Sequence, residues 1–250
     1  MTQIRSQRLQ HEKKHLTPWH RHEGGQIYLL TRGMLAMELP GRQWAITGGT
    51  LGWLPPGCAH QALACGDVAG WSLYLPVESV PEMPPLPQLP QLFTASALLQ
   101  ALVERIAQFP AGPLSAPQRR LLQVLLDEMH AASRASLQLP LPQDARLLNI
   151  ARALLNDPAS PRSQRDWAIW AGLSPRTLSR RFLQETGISF ALWRQQARVL
   201  RSLEGLSRGK AVGEVADACG YDNVSAYIAA FRRRFGVTPG AYFAPARQTE

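Results

Sequence analysis

The chain has 250 residues, 45% of them hydrophobic, with 27 Lys/Arg against 18 Asp/Glu and a formal charge of +9. That apolar content builds real cores and excludes wholesale disorder. Cys58, Cys65 and Cys219 are too sparse and odd in number for a disulfide framework, and no apolar run approaches the ~18 residues of a membrane helix. The charge is uneven: residues 1–142 hold 11 Lys/Arg and 9 Asp/Glu (net +2), residues 143–250 hold 16 and 9 (net +7). A near-neutral part joined to a basic part fits an attached module for a polyanion, with a solvated basic face as the plainer alternative. The segment Met1–His15 is polar and has no apolar signal core, so the chain is expected in the cytoplasm.

In chain order, residues 18–80 read as short strands. Gln26–Leu30 and Met34–Leu39 flank a hairpin-like break at Thr31-Arg32-Gly33, and Trp44–Ile46, Thr50–Leu54 and Trp71–Leu75 follow, each ended by Gly or Pro. Short strands with this punctuation point to a small antiparallel barrel or sandwich. Pro76, Pro81, Pro84, Pro85, Pro87 and Pro90 then exclude helix and central strand and predict an extended connector. Two helices come next, one carried by Leu98, Leu99, Leu102, Val103 and Ile106, the other by Leu121, Leu122, Leu125, Leu126 and Met129 after Pro117. The pair caps the β domain or forms a dimer seam. Leu139-Pro140-Leu141-Pro142 is a second connector, and from Asp144 onward the chain reads as all helix. The division is therefore 1–80, a β domain; 81–142, connector and helical pair; and 143–250, a helical domain.

The helical part carries one pattern twice. Ala168, Gly172, Ser174-Pro175, Phe182 and Gly187 are followed by Ala216, Gly220, Asp222, Phe231 and Gly236. The copies are 48 residues apart at the Ala and 49 at the last Gly, which places one extra residue in the second recognition-helix region. Two crossing helices need a small residue at closest approach, here Ala168 and Ala216. The turn needs a residue that accepts positive φ, Gly172 and Gly220, and the second helix needs a cap, Ser174 before Pro175 and Asp222. Ser163 and Asp166 form a capping box for the first supporting helix. Leu178, Phe182, Tyr227 and Phe231 face inward at i, i+4 spacing.

The opposite faces are what DNA would meet. The first helix offers Arg176, Thr177, Ser179, Arg180 and Arg181; arginine takes guanine O6 and N7 as a fork, and Arg or Ser also anchors phosphates. The second offers Asn223, Val224, Ser225, Ala226, Ile228 and Ala229, with no charge before Arg232, Arg233 and Arg234. That arginine run lies near the DNA backbone or is a solvated helix end. Phe190 to Leu206 reads as one amphipathic helix, with Trp193, Ala197, Leu200 and Leu203 inward, long enough to set the spacing of the two readers. On one face of a duplex they would enter successive major-groove segments about 34 Å apart.

Leu173-Ser174-Pro175-Arg176-Thr177-Leu178-Ser179-Arg180-Arg181-Phe182 with Gly187, Val215-Ala216 with Gly220-Tyr221, and Ala230-Phe231-Arg232-Arg233-Arg234-Phe235-Gly236-Val237-Thr238-Pro239 resemble the AraC/XylS family of transcriptional regulators. The resemblance covers about 100 residues and implies a seven-helix double helix-turn-helix domain with an attached effector domain. It implies that Arg176, Ser179 and Arg180 read bases. Ala229 stands where many members carry a basic or polar residue, a departure that weakens the case for base-specific reading there.

His20-Arg21-His22, Gln26, Gly33, Gly49, Pro55, Gly57 and His60 resemble the cupin pattern, the usual effector domain of such regulators. That resemblance, not the spacing, brings the histidines together, and it places the ligands of metal-binding cupins on His20, His22, Gln26 and His60. Three imidazoles suit Zn, Ni, Fe or Cu, but neutral Gln26 replaces the usual carboxylate. A three-His site still holds zinc with an open fourth position.

The expected fold class is thus two-domain α+β: a small cupin-like β-barrel with a helical pair, then an all-α double helix-turn-helix domain. The expected function is a transcriptional regulator, not an enzyme, that binds promoter or operator DNA and answers to a small-molecule effector. The effector pocket is expected at His20, His22, Gln26, Trp44, Trp53, His60 and Trp71. The expected partners are duplex DNA, the effector, a second copy of the chain and, for an activator, RNA polymerase, with no membrane. A metal-responsive regulator using His20, His22 and His60, with a bound divalent ion, and a cupin metalloenzyme are the alternatives.

Overall fold

A computed structural model describes residues 3–65, 67–76, 86–135 and 137–243. Contacts divide the chain into two compact units, one of residues 1–40 and 44–138, the other of residues 41–43 and 139–250.

The first unit contains β1 (Arg5–His11), β2 (His15–His20), β3 (Gly25–Arg32), β4 (Met34–Leu39), β5 (Arg42–Thr47), β6 (Thr50–Leu54), β7 (His60–Ala64), β8 (Val68–Leu75) and β9 (Gln91–Thr94). Helices α1 (Ala97–Ala107) and α2 (Ala116–Ala131) follow, and the short β10 (Gln138–Pro140), like the first residues of β5, lies at the boundary of the two units. Among the described residues the strands form two five-stranded sheets, β1-β8-β3-β6-β9 and β10-β5-β4-β7-β2, with antiparallel pairing. In place of the expected cupin-like barrel, the described residues form two sheets as a sandwich, with no closed barrel among them.

The break at Gly33 is also corrected. β3 and β4 belong to different sheets, so Thr31-Arg32-Gly33 is a corner between layers and not a hairpin turn. β1, β2, β7 and β9 carry no strand signal of their own, and Leu139 and Pro140, expected in a connector, instead belong to β10 beside β5. β1 and β2 are mostly exposed edge strands whose polar side chains blunt a free edge. Pro76, Pro87 and Pro90 lie outside helix and strand, as a connector requires; Pro81, Pro84 and Pro85 fall outside the described residues.

The period-two alternation of the strands sorts their side chains between two faces. Ile27 and Leu29 of β3, Leu51 and Trp53 of β6, and Leu73 and Leu75 of β8 join Leu99, Leu102, Val103, Ile106, Leu122, Leu125, Leu126 and Met129 in one core. The helical pair therefore covers the outer face of the first sheet. Its start signals are local: Ser96 caps α1, and Ser115 with Gln118 forms a capping box on α2 ahead of Pro117. The alternate positions, Gln26 and Tyr28 on β3 and Ser72 and Tyr74 on β8, point toward the second sheet.

The second unit contains seven described helices: α3 (Ala145–Asn156), α4 (Gln164–Trp170), α5 (Pro175–Thr186), α6 (Phe190–Ser207), α7 (Val212–Ala218), α8 (Val224–Phe235) and α9 (Pro239–Tyr242). α6 is the spine: it packs against α3, α5, α7 and α8. Trp193, Ala197, Leu200 and Leu203 are buried on it, as its 3.6-residue period predicts. The Trp193 indole donates to Pro140 O at 2.6 Å, and the buried Tyr227 hydroxyl donates to Ser202 Oγ at 2.9 Å. Arg194 donates to the carbonyls of Arg162 and Ser160, and Arg198 to that of Pro158, which ties the α3–α4 loop to α6.

Candidate DNA-reading surface and effector cavity

Both helix-turn-helix units are built from the same local devices. Ala168 and Ala216 are fully buried where the supporting helices α4 and α7 meet the rest of the domain. Gly172 and Gly220 have φ of +65° and +74°, a region costly to any residue with a Cβ. Ser163 and Asp166 form the expected capping box, and its hydroxyl and amide hold the Asp166 carboxyl below its usual range. Ser174 accepts from Thr177 N at 3.1 Å with Pro175 in the first turn.

The second copy differs from expectation at its cap. Asn223, not Asp222, accepts from Ala226 N, at 2.8 Å. The extra residue of the second copy is therefore Asp222, lodged in the turn; α5 and α8 are both 12 residues long. The reason is register. With Asn223 as cap, Tyr227 and Phe231 occupy the positions of Leu178 and Phe182, and all four are fully buried; capping at Asp222 would rotate the apolar face out of the core. Asn223→Ala is expected to cost about 1 kcal/mol of stability and Asp222→Ala almost nothing, as compared by urea unfolding; the reverse ranking would restore Asp222 as cap.

The outward face of α5 presents Arg176, Ser179 and Arg180, all exposed. Arg176 makes no ion pair or hydrogen bond among the described residues, and Arg180 has only a 3.4 Å contact with Gln184 in its own helix. Ser179 Oγ donates to Pro175 O at 2.9 Å and accepts from Gln164 Nε2 at 2.6 Å, so α4 braces this face. Thr177 spends its hydroxyl on Ser174 at 2.9 Å. Arg181 is half-exposed and pairs with Asp144 at 2.6 Å, while Glu185 accepts from the backbone N–H groups of Gln143 and Asp144. One edge of α5 thus clamps the start of α3, and the neighbouring face is left for a ligand.

On α8, Asn223, Val224, Ser225 and Ala226 are exposed and uncharged, and the Asn223 side chain is engaged as the cap. Arg232 and Arg233 are exposed in the last turn and make no ion pair among the described residues, whereas Arg234 is partly buried. The positive charge of the two readers is therefore early in α5 and late in α8.

In the first unit the two sheets enclose a cavity of about 130 Å³. Its polar lining is Gln7, His11, His15, Thr17, His20, Tyr28, Ser72 and Tyr74; its apolar lining is Leu9, Leu35, Ala62, Ala64 and Val68, with no Asp, Glu, Lys or Arg. Of the seven residues expected around an effector, only His20 lines this space. His22 and His60 adjoin His20, with ring centroids 4.8 and 4.2 Å from it. Gln26 is buried and donates to Ser72 Oγ at 2.8 Å.

The tryptophans are placed differently. Trp53 and Trp71 stand on the opposite face of their strands. Trp53 is buried against α1 and α2 with its indole donating to Pro87 O at 2.8 Å, and Trp71 packs on the same core beneath Arg8. Trp44 is fully buried on β5 and does not line the cavity. The phase of a strand decides this, and one residue of phase moves every side chain to the other face. Tyr28, Ser72 and Tyr74 were missed; their signal was the polar i, i+2 spacing of Gln26/Tyr28 and Ser72/Tyr74 inside apolar strands.

His60, His22 and His11 are each biased toward the neutral ring. Burial pushes His60 down to about 4, opposed by its bond to the Cys58 carbonyl and aided by His20 and His22. Burial, then His20 and Arg5, lowers His22, and burial with His15 lowers His11.

A β sandwich enclosing a cavity, followed by two helix-turn-helix units, is the architecture of a ligand-responsive transcription regulator. Residues 8–156 match the AraC-like ligand binding domain and residues 167–244 a helix-turn-helix domain. The chain belongs to the AraC family of helix-turn-helix transcriptional regulators. It is 29% identical over 228 residues to the HTH-type transcriptional regulator NimR of Escherichia coli, covering 91% of this chain and 82% of that one. It is 38% identical over 103 residues to the regulator RipA of Corynebacterium glutamicum, covering 41% of this chain and 31% of that one. Among solved structures it is similar to ToxT of Vibrio cholerae, with 11% identity, a TM-score of 0.41 and coverage of 96% and 97%. No helix among the described residues is long and apolar enough to cross a membrane.

Proposed function

We propose that α5 specifies the operator sequence and that α8 mainly positions the protein on the duplex. The observation that supports this is the distribution of charge and commitment on the two helices. Arg176 and Arg180, four residues apart on one exposed face of α5, have forks without a strong partner, and Ser179 sits beside them. A guanidinium fork matches guanine O6 and N7. Arg181, held by Asp144, and Thr177, held by Ser174, orient the helix and lie near the backbone path. Val224 and Ser225 offer methyl and hydroxyl contacts, and Arg232 and Arg233 are phosphate anchors. The protein works in the cytoplasm as a pair of chains, and as an activator it would meet RNA polymerase there.

The division of labour has a direct salt signature. Arg232→Ala and Arg233→Ala are expected to weaken target and scrambled duplexes alike and to reduce the log–log salt slope by about 1 each. Anisotropy titrations over a range of salt read both quantities. Loss confined to the target duplex would place these arginines on bases instead.

The sandwich cavity is the effector site. At about 130 Å³ with no Asp, Glu, Lys or Arg in its lining, it favours a small neutral molecule carrying hydrogen-bonding groups over an acid, a phosphate or a polyamine. Binding there acts by shifting the populations of DNA-competent arrangements.

A further inference from the structure

The helical unit holds a second opening, away from the sandwich cavity. It measures about 270 Å³ and is lined by the start of α4, the first half of α6 and the turn ahead of α8. Its polar lining is Gln164, Arg194, Gln195, Arg198 and Tyr221, with no Asp or Glu. Arg194 and Arg198 are four residues apart and therefore neighbours on one face of α6.

Their guanidinium groups are only partly spent. Arg194 gives its two Nη atoms to the carbonyls of Arg162 and Ser160, and Arg198 gives Nε to that of Pro158 at 2.9 Å. A carbonyl accepts a hydrogen bond without neutralising the charge, and no carboxylate pairs with either arginine among the described residues. Arg194 Nε is buried without a partner, and so is the Tyr221 hydroxyl, over whose ring Arg198 lies at 5.8 Å. The Arg198 Nη atoms and the Gln195 amide have no hydrogen bond among the described residues. Buried donors ordinarily find an acceptor; here the unsatisfied donors gather around one opening. Burial, then the Arg198 charge, lowers the Arg194 guanidinium, with Asp157 opposing. Two like charges are thus held together with no counter-charge in the lining.

The donors are preformed. A Cβ at Gly220 would stand 2.7 Å from Ala159 Cα and 3.0 Å from Arg198 Nη2, so glycine alone lets the turn, the α3–α4 loop and Arg198 close on one another. Such a cradle needs little further ordering when an anion arrives.

Its place lies between the two readers. At one rim Gln164 Nε2 donates to Ser179 Oγ on the reading face of α5, and at the other Tyr221 stands two residues before Asn223, the cap of α8. A duplex that offers successive major-groove segments to α5 and α8 carries its intervening backbone past this stretch. That backbone offers phosphates, whose charged oxygens match guanidinium and neutral donors. A neutral base edge would leave the two charges uncompensated.

We propose that this opening seats one phosphate group of the duplex backbone midway between the readers, bound by Arg194 Nε, the Arg198 fork, the Gln195 amide and the Tyr221 hydroxyl. The contact rests on α5 and α8 meeting the duplex as proposed above. It carries no sequence information and instead fixes the register of the protein on its site. Inorganic phosphate has the same chemistry, and the experiment separates the two sources.

The full-length protein is compared with Gln195→Glu, which puts a carboxylate in the opening, and Tyr221→Phe, which removes one hydroxyl. Neither group holds another part of the fold, so both variants should match the parent in circular dichroism and urea unfolding. Anisotropy is expected to show Gln195→Glu about tenfold weaker on target and scrambled duplexes alike, with the log–log salt slope reduced by about 1. Tyr221→Phe should lose about two- to tenfold on both with the slope unchanged. The selected target duplex is then scanned with single methylphosphonates, which remove one backbone charge at a time. One position between the two base blocks should weaken the parent about tenfold and leave Gln195→Glu nearly unaffected, because the two changes remove the same contact. Losses that add at every position overturn the contact, since Gln195→Glu then acts only through distant repulsion. Thermal unfolding in millimolar sodium phosphate, against chloride at matched ionic strength, reads the free ion. Stabilisation of the parent but not of Gln195→Glu, with duplex binding equal in both, makes the opening a small-anion site and overturns the duplex contact. A parent that binds no duplex at all overturns the reading of α5 and α8 and this contact with it; duplex binding with additive losses overturns this contact alone.

Discussion

Arg180→Ala is expected to lose between about ten- and a hundredfold in affinity for the operator while keeping its affinity for scrambled duplex, at matched salt. One bidentate arginine–guanine pair contributes about 1–3 kcal/mol of discrimination, and the structure gives the Arg180 fork no competing partner stronger than the 3.4 Å contact to Gln184. The change is not expected to disturb folding, because the side chain is exposed and clamps nothing. Arg181→Ala makes the contrast one position along: it breaks the 2.6 Å pair with Asp144, so its loss should appear in stability as well as in binding. Anisotropy on target and scrambled duplexes separates the cases. Equal loss on both duplexes for Arg180→Ala would make that residue a phosphate anchor and remove α5 as the source of specificity.

The largest stability effect is expected from Phe231→Ala, at about 3–5 kcal/mol. Phe231 is fully buried and its ring sits 4.6 Å from Phe235, 5.6 Å from Tyr242 and 5.9 Å from Tyr227, mostly edge to face. Truncation removes the apolar area, leaves a cavity and undoes these ring contacts together. Its counterpart Phe182 packs on Phe190 and Trp193 of α6 in the same manner. The second helix-turn-helix thus depends on the closing Phe-Gly-Val-Thr-Pro segment, whose α9 supplies Tyr242. Urea unfolding measures the loss; a change below about 1 kcal/mol would mean that the ring cluster carries little of the second unit's stability.

The helical half was legible because its signals are local. Ser163, Ser174, Pro175, Gly172 and Gly220 each act within one turn of chain, and the inward positions of α6 follow from period alone. The cap of α8 was misread by one residue because Asp222 and Asn223 both satisfy local chemistry, and only the burial of Tyr227 and Phe231 chooses between them. β1 and β2 were hidden because they are polar edge strands that lack apolar alternation.

The sandwich cavity was legible only in part, for a related reason. Sequence shows that Trp53 and Trp71 are apolar and in strands, but not which face of the first sheet lies against α1 and α2. That is a long-range fact, settled by the shared core that this face forms with α1 and α2 residues such as Leu102 and Leu125. The three histidines came together as the family resemblance implied, whereas the tautomers fixed by Pro18 and Cys58 are backbone geometry that no spacing reveals.

Selecting bound duplexes from a randomised pool tests the central claim most directly, because it reads both helices at once. The account predicts two blocks of preferred bases centred about 34 Å, one helical turn, apart. One block should be strong, contain guanine and be lost in Arg176→Ala and Arg180→Ala; the other should be weaker and survive both changes. A single block, or two blocks unaffected by either arginine, would contradict the assignment of sequence reading to α5.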